Sequence, residues 1–188
     1  MSINEVFKKR KSTRMFLDKA VEADKLIQIA EAGNMAAGTP MAGKVYFNVV
    51  TNSDVLDVIV KNTQTVMQNS GVDMLVKISS NRNFNPFYGA PCAIVISADK
   101  TDDPSTREMA IANVACAGEN ILLAATELGL ASCYMTSPTL GFAIPETREA
   151  VKLEENMEPL AIVVVGYAED MTPHSDYPEN PKNIVFVE

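Results

Sequence analysis

The sequence predicts an α+β fold, a sandwich in which helices flank a mixed central β-sheet. Segments rich in β-branched residues, such as residues 45–50 and 160–166, alternate irregularly with segments whose apolar residues recur at helical spacing. The chain has 188 residues, of which 47% are hydrophobic, and this is enough for one core. We therefore expect a single domain over residues 1–188, with the proline-containing residues 168–188 as an extended C-terminal arm.

The first helix is predicted from a capping box. Ser2 and Glu5 have the S-x-x-E spacing, so a helix should run to about Arg10 or Lys11. A basic motif, Arg10-x-Ser12-x-Arg14, then occupies the end of this helix and the following turn. Because the C-terminal end of a helix repels anions, any anion here must be held by side chains.

A second helix is predicted over residues 22–32, and Gly33 is expected to end it. Its inward-facing residues should be Leu26, Ile27 and Ala30. Residues 34–43 contain two glycines and a proline, which predict a close-packed loop. Residues 45–50 are then predicted to form a buried strand.

The middle of the chain predicts two long helices on either side of a central strand. Asn52 or Ser53 can cap the first helix, which carries apolar residues at helical spacing to Met67. Residues 71–90 are less regular and end in three aromatic residues, which we expect in the core or lining a pocket. Residues 92–98 predict the strand, and Pro104 begins the longest helix, which should end near Leu128.

The last third of the chain alternates strands with short connections. Gly129 should end the long helix. The elements expected after it are a strand over residues 131–136, a loop over residues 137–141, a short helix from about Pro145, and strands over residues 160–166 and 184–187.

The basic motif is the strongest candidate binding feature. A guanidinium group offers a rigid fork of donors that matches phosphate oxygens, and Arg10 and Arg14 bracket the Ser12 hydroxyl. The alternatives are a solvated basic surface and a nucleic-acid patch. Since the whole chain carries a net charge of −8, its field repels nucleic acid, and one small anionic ligand is the better interpretation.

Composition also excludes several kinds of site. The widely spaced Cys92, Cys116 and Cys133 argue against a disulfide framework or a zinc motif, and we expect them to be buried. His174 is the single histidine, so a multi-histidine metal site is excluded, and we interpret it as a surface residue. The charged N-terminus and the short apolar runs predict a cytoplasmic protein that does not contact a membrane.

Five stretches, in this order, resemble the FMN-dependent nitroreductase family, and especially its short single-domain members. They are the basic motif and residues 87–91 (FYGAP), 120–125 (NILLAA), 128–133 (LGLASC) and 165–167 (VGY). The resemblance spans nearly the whole chain. It implies a nitroreductase-like sandwich and an intertwined homodimer, with two FMN sites at the subunit interface that both subunits build.

The resemblance also implies which residues hold the cofactor. By this analogy Arg10 and Ser12 hold the phosphate and ribityl chain, and Arg14 lies near the pyrimidine edge of the ring, where its charge favours reduced flavin. The loop over residues 137–141 resembles one that faces the N5 side of the ring, unless it is a plain connection. The implied ring contacts are Ala37, Gly38, Thr39, Pro40 and Met41, followed by Ser137, Pro138, Thr139, Leu140 and Gly141.

Two segments depart from the family pattern. Where relatives carry asparagine and glutamine after the second helix, this chain has Met41 and Gly43, so two side-chain hydrogen bonds to flavin are missing. Relatives place Lys or Arg in the C-terminal arm, where this chain offers Lys182. That residue is either a phosphate partner or a surface lysine.

The function implied by the resemblance is hydride transfer from NADH or NADPH through FMN to a nitroaromatic, a quinone or a similar small acceptor. FMN carries the chemistry, so no catalytic side chain and no metal is expected. Three alternatives stay open. They are a specialised flavoenzyme that dehalogenates or consumes flavin, a non-catalytic flavin-binding or storage protein, and a dimeric interaction protein that has lost flavin.

Overall fold

The computed structural model describes residues 1–172 and 184–187 of the chain. Its helices are α1 (Ile3–Lys9), α2 (Ala23–Asn34), α3 (Ser53–Gln68), α4 (Asp73–Ser79), α5 (Pro104–Glu127) and α6 (Pro145–Val151). Its strands are β1 (Val45–Val50), β2 (Cys92–Asp99), β3 (Ala131–Met135) and β4 (Met157–Gly166). Two 3₁₀ helices, Pro40–Ala42 and Ser137–Ala143, occupy connections.

The four strands form one sheet in the order β1-β2-β4-β3, and every neighbouring pair is antiparallel. The predicted α+β class is confirmed, but the sheet of the described residues is antiparallel and not mixed as predicted. The one parallel pairing in the described residues is an isolated bridge between Ser12 and Ser132. A bulge between Ile96 and Ser97 accommodates Pro159, which lacks the amide that a regular ladder needs.

Each face of the sheet is covered by helices, because the central strands are apolar on both sides. Ile94 and Ile96 of β2 face α2 and α5, where they meet Ile29 and Ile121. The alternate β2 residues face a second core that includes Ile59 of α3 and Val151 of α6. The result is a three-layer sandwich.

Helix α5 is the central element of the first core, where its buried residues include Val114, Ile121 and Ala125. By length and composition it is the one helix in the described residues that could cross a membrane, but half of its most apolar window is buried in the protein. This packing is that of a core helix.

Several predictions about elements were wrong in detail. Gly33 lies inside α2 and is buried against Ile121, whereas Ile27 is exposed. The buried stripe of α2 therefore runs through Leu26, Ile29 and Gly33. Of the three residues predicted to face inward, only Leu26 belongs to it. Residues 71–90 contain α4, and residues 137–141 belong to a 3₁₀ helix.

Three further expectations concern single residues or the chain end. The three cysteines form no disulfide, as predicted, but Cys116 is exposed on α5. Residues 184–187 are exposed and form no strand in this single chain. His174 and Lys182 lie outside the described residues, so their predicted roles stay predictions.

Candidate functional site

The basic motif is fastened to the edge of the sheet. Ser12 forms the isolated bridge with Ser132 of the edge strand β3, and the Thr13 amide donates to the Ser132 carbonyl at 2.9 Å. The backbone of the motif is thus extended, because its polar groups pair with the last strand of the sheet. The prediction that the motif forms a turn after the helix was wrong.

Three polar side chains of the motif influence the ionisation of one thiol, that of Cys133. Burial raises the pKa of Cys133, while the Arg14 charge, a hydrogen bond with Ser12 and the Arg10 charge act in the opposite direction. Arg10, Ser12 and Arg14 therefore all lie near β3, of which Cys133 is the middle residue. The Arg10 guanidinium also lies 3.9 Å from the Glu119 carboxylate on α5.

A cavity of about 470 Å³ adjoins the motif and is lined by residues 11–17 together with Glu169 and Asp170. Lys11 donates to Asp170 at 3.1 Å, which ties the segment after β4 to the motif. Hydrogen bonds from Thr172, followed by the one from Lys11, lower the pKa of Asp170 to about 2. The Lys11 charge is thus balanced by Asp170, and that of Arg10 lies close to Glu119.

These groups fit a phosphate. Ser12 and Arg14 line a cavity large enough for a small ligand, and Arg10 lies two residues before Ser12. Thr13, which lines this cavity, is buried, and its Oγ1 has no hydrogen-bond partner in the described part of the chain.

The second predicted group, residues 37–41, lies on α5 and not at the motif. Asn113 of α5 exchanges hydrogen bonds of 2.9 Å with both the amide and the carbonyl of Thr39. A cavity of about 270 Å³ lies beside this contact, and residues of the loop (Ala37 and Gly38), of α2 and of α5 line it. The Met41 side chain is 74% exposed, so its thioether and methylene groups face outward from the protein.

Helix α3 packs against the third predicted group, residues 137–141. The buried Thr63 hydroxyl donates to the Pro138 carbonyl at 3.1 Å, and a Cβ at Gly141 would meet the Thr63 hydroxyl at 2.6 Å. Thr139 and Leu140 line a cavity of about 530 Å³ together with Ile111. The loop is thus a packed 3₁₀ helix whose outer side borders open space.

A single chain does not bring the three groups together. The motif, residues 37–41 and residues 137–141 line three different cavities. Phe87, one of the aromatic residues considered for a pocket, is 1% exposed and belongs to the core. Within a single chain, then, the candidate site is divided among three surfaces.

Sequence reasoning missed Asn113 and Cys133 as neighbours of the candidate site. Asn113 carried a usable signal, because it is a buried amide between the apolar positions Ala110 and Val114 of an otherwise apolar helix stripe. Cys133 carried none, since a cysteine in a β-like segment is an ordinary core residue.

Comparisons with known proteins identify a family and similar folds. The model of the nitroreductase family matches residues 7–167. A protein of Archaeoglobus fulgidus with the provisional name NADH dehydrogenase/NAD(P)H nitroreductase is 25% identical over 162 residues, which cover 86% of this chain and 82% of the relative.

Two crystal structures of nitroreductases with bound FMN share the fold over essentially the full length. The one from Bacteroides fragilis is 26% identical, with a TM-score of 0.87 and complete coverage of both chains. The one from Desulfitobacterium hafniense is 25% identical, with a TM-score of 0.83 and coverage of 99% of this chain and 98% of the other.

Proposed function

Because the chain belongs to the nitroreductase family, we propose that it is an FMN-dependent oxidoreductase that passes hydride from NADH or NADPH to a small acceptor such as a nitroaromatic or a quinone. The observation that carries this proposal is the position of the basic motif, which pairs with β3 through Ser12 and lines a cavity with Ser12 and Arg14. Two similar nitroreductase structures contain bound FMN, which supports the same cofactor here.

The residues of this chain bind and orient the cofactor. Arg10 and Ser12 would hold its phosphate, and the Arg14 charge would favour the negative charge of the reduced ring. Residues 37–41 and 137–141 would line the ring. Bound FMN supplies the hydride chemistry, so the protein needs to provide position, charge and a slot for two successive substrates.

We propose a homodimer for a specific reason, which is the division of the candidate site in one protomer. The motif and the two loops line separate cavities, so a second copy of the chain is needed to complete the site. Helix α5 offers a surface for that copy. Its exposed side carries Ile111, Ala112, Ala115 and Cys116 at helical spacing.

The chain end supplies a second unpartnered apolar surface. Ile184, Val185, Phe186 and Val187 are 59–93% exposed in the single chain. A run of four apolar residues in solvent is unfavourable, whereas burial of such side chains contributes roughly 25 cal/mol per Å². Packing of this segment on a partner subunit would remove it from water.

The absorption spectrum of the purified protein tests the proposed activity. We expect a yellow protein, or one that turns yellow on addition of FMN, and that bleaches when NADH or NADPH is added without oxygen. Failure to take up FMN would contradict the cofactor assignment. Yellow protein that stays oxidised with both nicotinamides would contradict the reductase and favour a flavin-storage role.

Thiol titration tests the dimer. Cys92 and Cys133 are buried in the protomer, whereas Cys116 is exposed on the proposed α5 interface. In a homodimer built on this face we expect no rapidly reacting thiol, and in a monomer we expect one. Cys116→Ser, which removes the exposed thiol, is the control for the specificity of the thiol reagent. Light scattering on the same sample gives the mass of the protein in solution. A monomeric mass with one fast thiol would overturn the dimer.

A further inference from the structure

Asn113 makes a paired contact with the backbone of residues 37–43. Its Nδ2 donates to the Thr39 carbonyl and its Oδ1 accepts from the Thr39 amide, both at 2.9 Å. The side chain is 8% exposed, so both hydrogen bonds are largely shielded from water. A primary amide that satisfies both polar groups of one residue imitates the pairing of a β-strand.

The local sequence is adapted to this contact. A Cβ at Gly38 would lie 2.9–3.1 Å from the Asn113 amide atoms, so only glycine lets the amide approach Thr39 this closely. The far end of the loop is also held. The Asp99 carboxylate accepts from the Lys44 amide at 2.9 Å and from the Tyr46 hydroxyl at 2.8 Å.

Residues 37–43 can contact a ligand through their backbone more than through their side chains. The Thr39 hydroxyl already accepts from the Met41 amide, and the flanking side chains are apolar. In the described part of the chain the amides of Ala37 and Gly38 donate to no protein acceptor, and both residues line the cavity beside Asn113. Backbone donors bind well only if they are fixed in advance.

We propose that Asn113 is a positioning residue, which holds residues 37–43 so that the free Ala37 and Gly38 amides meet the flavin. This inference rests on the proposed function. Fixing the loop from α5 replaces the side-chain hydrogen bonds that Met41 and Gly43 do not provide. Asn113 itself touches Thr39 and does not need to touch the cofactor.

Two substitutions test the role. Asn113→Leu removes both hydrogen bonds and places a larger apolar side chain of the same branching there, and Asn113→Asp keeps the shape but cannot donate to the Thr39 carbonyl. Each variant loses one or both of the shielded hydrogen bonds to Thr39. We therefore expect each to bind FMN roughly 10- to 100-fold more weakly by fluorescence titration. Riboflavin, which lacks the phosphate, should weaken by the same factor, so the ratio of the two affinities should not change.

The matched control is Asn62→Leu. Asn62 is also a buried asparagine, but its amide bonds to Thr147 and Glu146, away from the loop. We expect it to lower the melting temperature of the apoprotein as much as Asn113→Leu does, while FMN affinity stays within twofold of wild type. Wild-type affinity in either folded Asn113 variant, or an equal loss in Asn62→Leu, would overturn the positioning role. Failure of the wild-type protein to bind FMN would instead overturn the proposed function.

Discussion

The Thr13 amide donates to the Ser132 carbonyl at 2.9 Å, and this hydrogen bond gives the basic motif its geometry. An extended segment beside a strand directs alternate side chains to opposite sides. Thr13 is therefore buried, whereas Ser12 and Arg14 both act on the Cys133 thiol. The two-residue spacing of Ser12 and Arg14 is the period of a strand, so both side chains lie on the same side of the motif.

The first prediction concerns the two arginines. Replacing Arg10 and Arg14 together with Ala should weaken FMN binding at least about 100-fold, since a hydrogen bond to a charged group contributes about 1.5–3 kcal/mol. Riboflavin affinity should fall much less, because riboflavin carries no phosphate. Fluorescence titration of the apoprotein with both flavins measures the two losses.

The matched control is Lys8→Ala with Lys9→Ala, which removes the same charge from exposed positions in the last turn of α1. We expect the FMN affinity of this control variant to change by less than threefold. Equal losses in the two double variants would mean that general charge attracts the cofactor and that the motif does not form its site.

The second prediction concerns the support of residues 137–141. Thr63→Val keeps the side-chain volume but leaves the buried Pro138 carbonyl without its donor. The free energy of unfolding should fall by about 1–3 kcal/mol. FMN affinity should fall as well if residues 137–141 line the ring. Urea denaturation and flavin titration measure the two effects.

Thr65→Val is the control, because the Thr65 hydroxyl bonds to Lys61 on an exposed turn of the same helix. This substitution should leave the free energy of unfolding and the FMN affinity close to those of the wild-type protein. A stable Thr63→Val protein with normal affinity would show that the 3₁₀ helix does not depend on this hydrogen bond.

The elements that the sequence predicts well have strong local signals. Pro104 and Gly129 bracket α5, and the Ser2–Glu5 capping box starts α1, so local chemistry alone fixes these ends. The unpredicted parts depend on tertiary contacts. Ile27 is as apolar as Ile29, and only the position of the sheet decides which of them is buried.

The candidate site shows the same contrast between local sequence signals and tertiary contacts. The Arg10-Ser12-Arg14 spacing is legible in the sequence, but the partner that orients it, β3, lies more than one hundred residues later. Asn113 and Thr39 likewise meet only after α5 packs beside the loop. Motifs predict the chemistry of a site, whereas long-range packing decides which groups share one surface.

The third prediction concerns a close approach between a helix and the sheet. An added Cβ at Gly118 of α5 would overlap the Tyr134 ring of β3. Gly→Ala within a helix normally stabilises by about 1 kcal/mol, but overpacking costs about 1–3 kcal/mol. We expect Gly118→Ala to lower the free energy of unfolding.

A double-mutant cycle tests the cause. In a Tyr134→Ala background, which removes the ring, Gly118→Ala should be neutral or stabilising by urea denaturation. Destabilisation of equal size in both backgrounds would show that the ring is not the obstacle.

The last prediction is a pH dependence that originates at Tyr167. The Tyr167 hydroxyl donates to Glu22 at 2.7 Å and accepts from Lys25 at 2.8 Å. The hydrogen bond from Tyr167 is the main cause that lowers the pKa of Glu22 from 4.5 to about 2. Since the folded protein binds this proton less readily than the unfolded chain, the stabilisation is complete above pH 4.5 and is lost as the pH falls toward 2.

Tyr167→Phe should therefore flatten the dependence of the melting temperature on pH in this window, because the Glu22 pKa moves back toward its ordinary value. Tyr88→Phe is the control, since the Tyr88 hydroxyl has no hydrogen-bond partner in the described residues. The other carboxylates with lowered pKa values, such as Asp103 and Asp170, titrate alike in all three proteins, so the difference between the curves isolates Glu22. Curves of equal slope for wild type and Tyr167→Phe would show that the hydroxyl does not control the Glu22 proton.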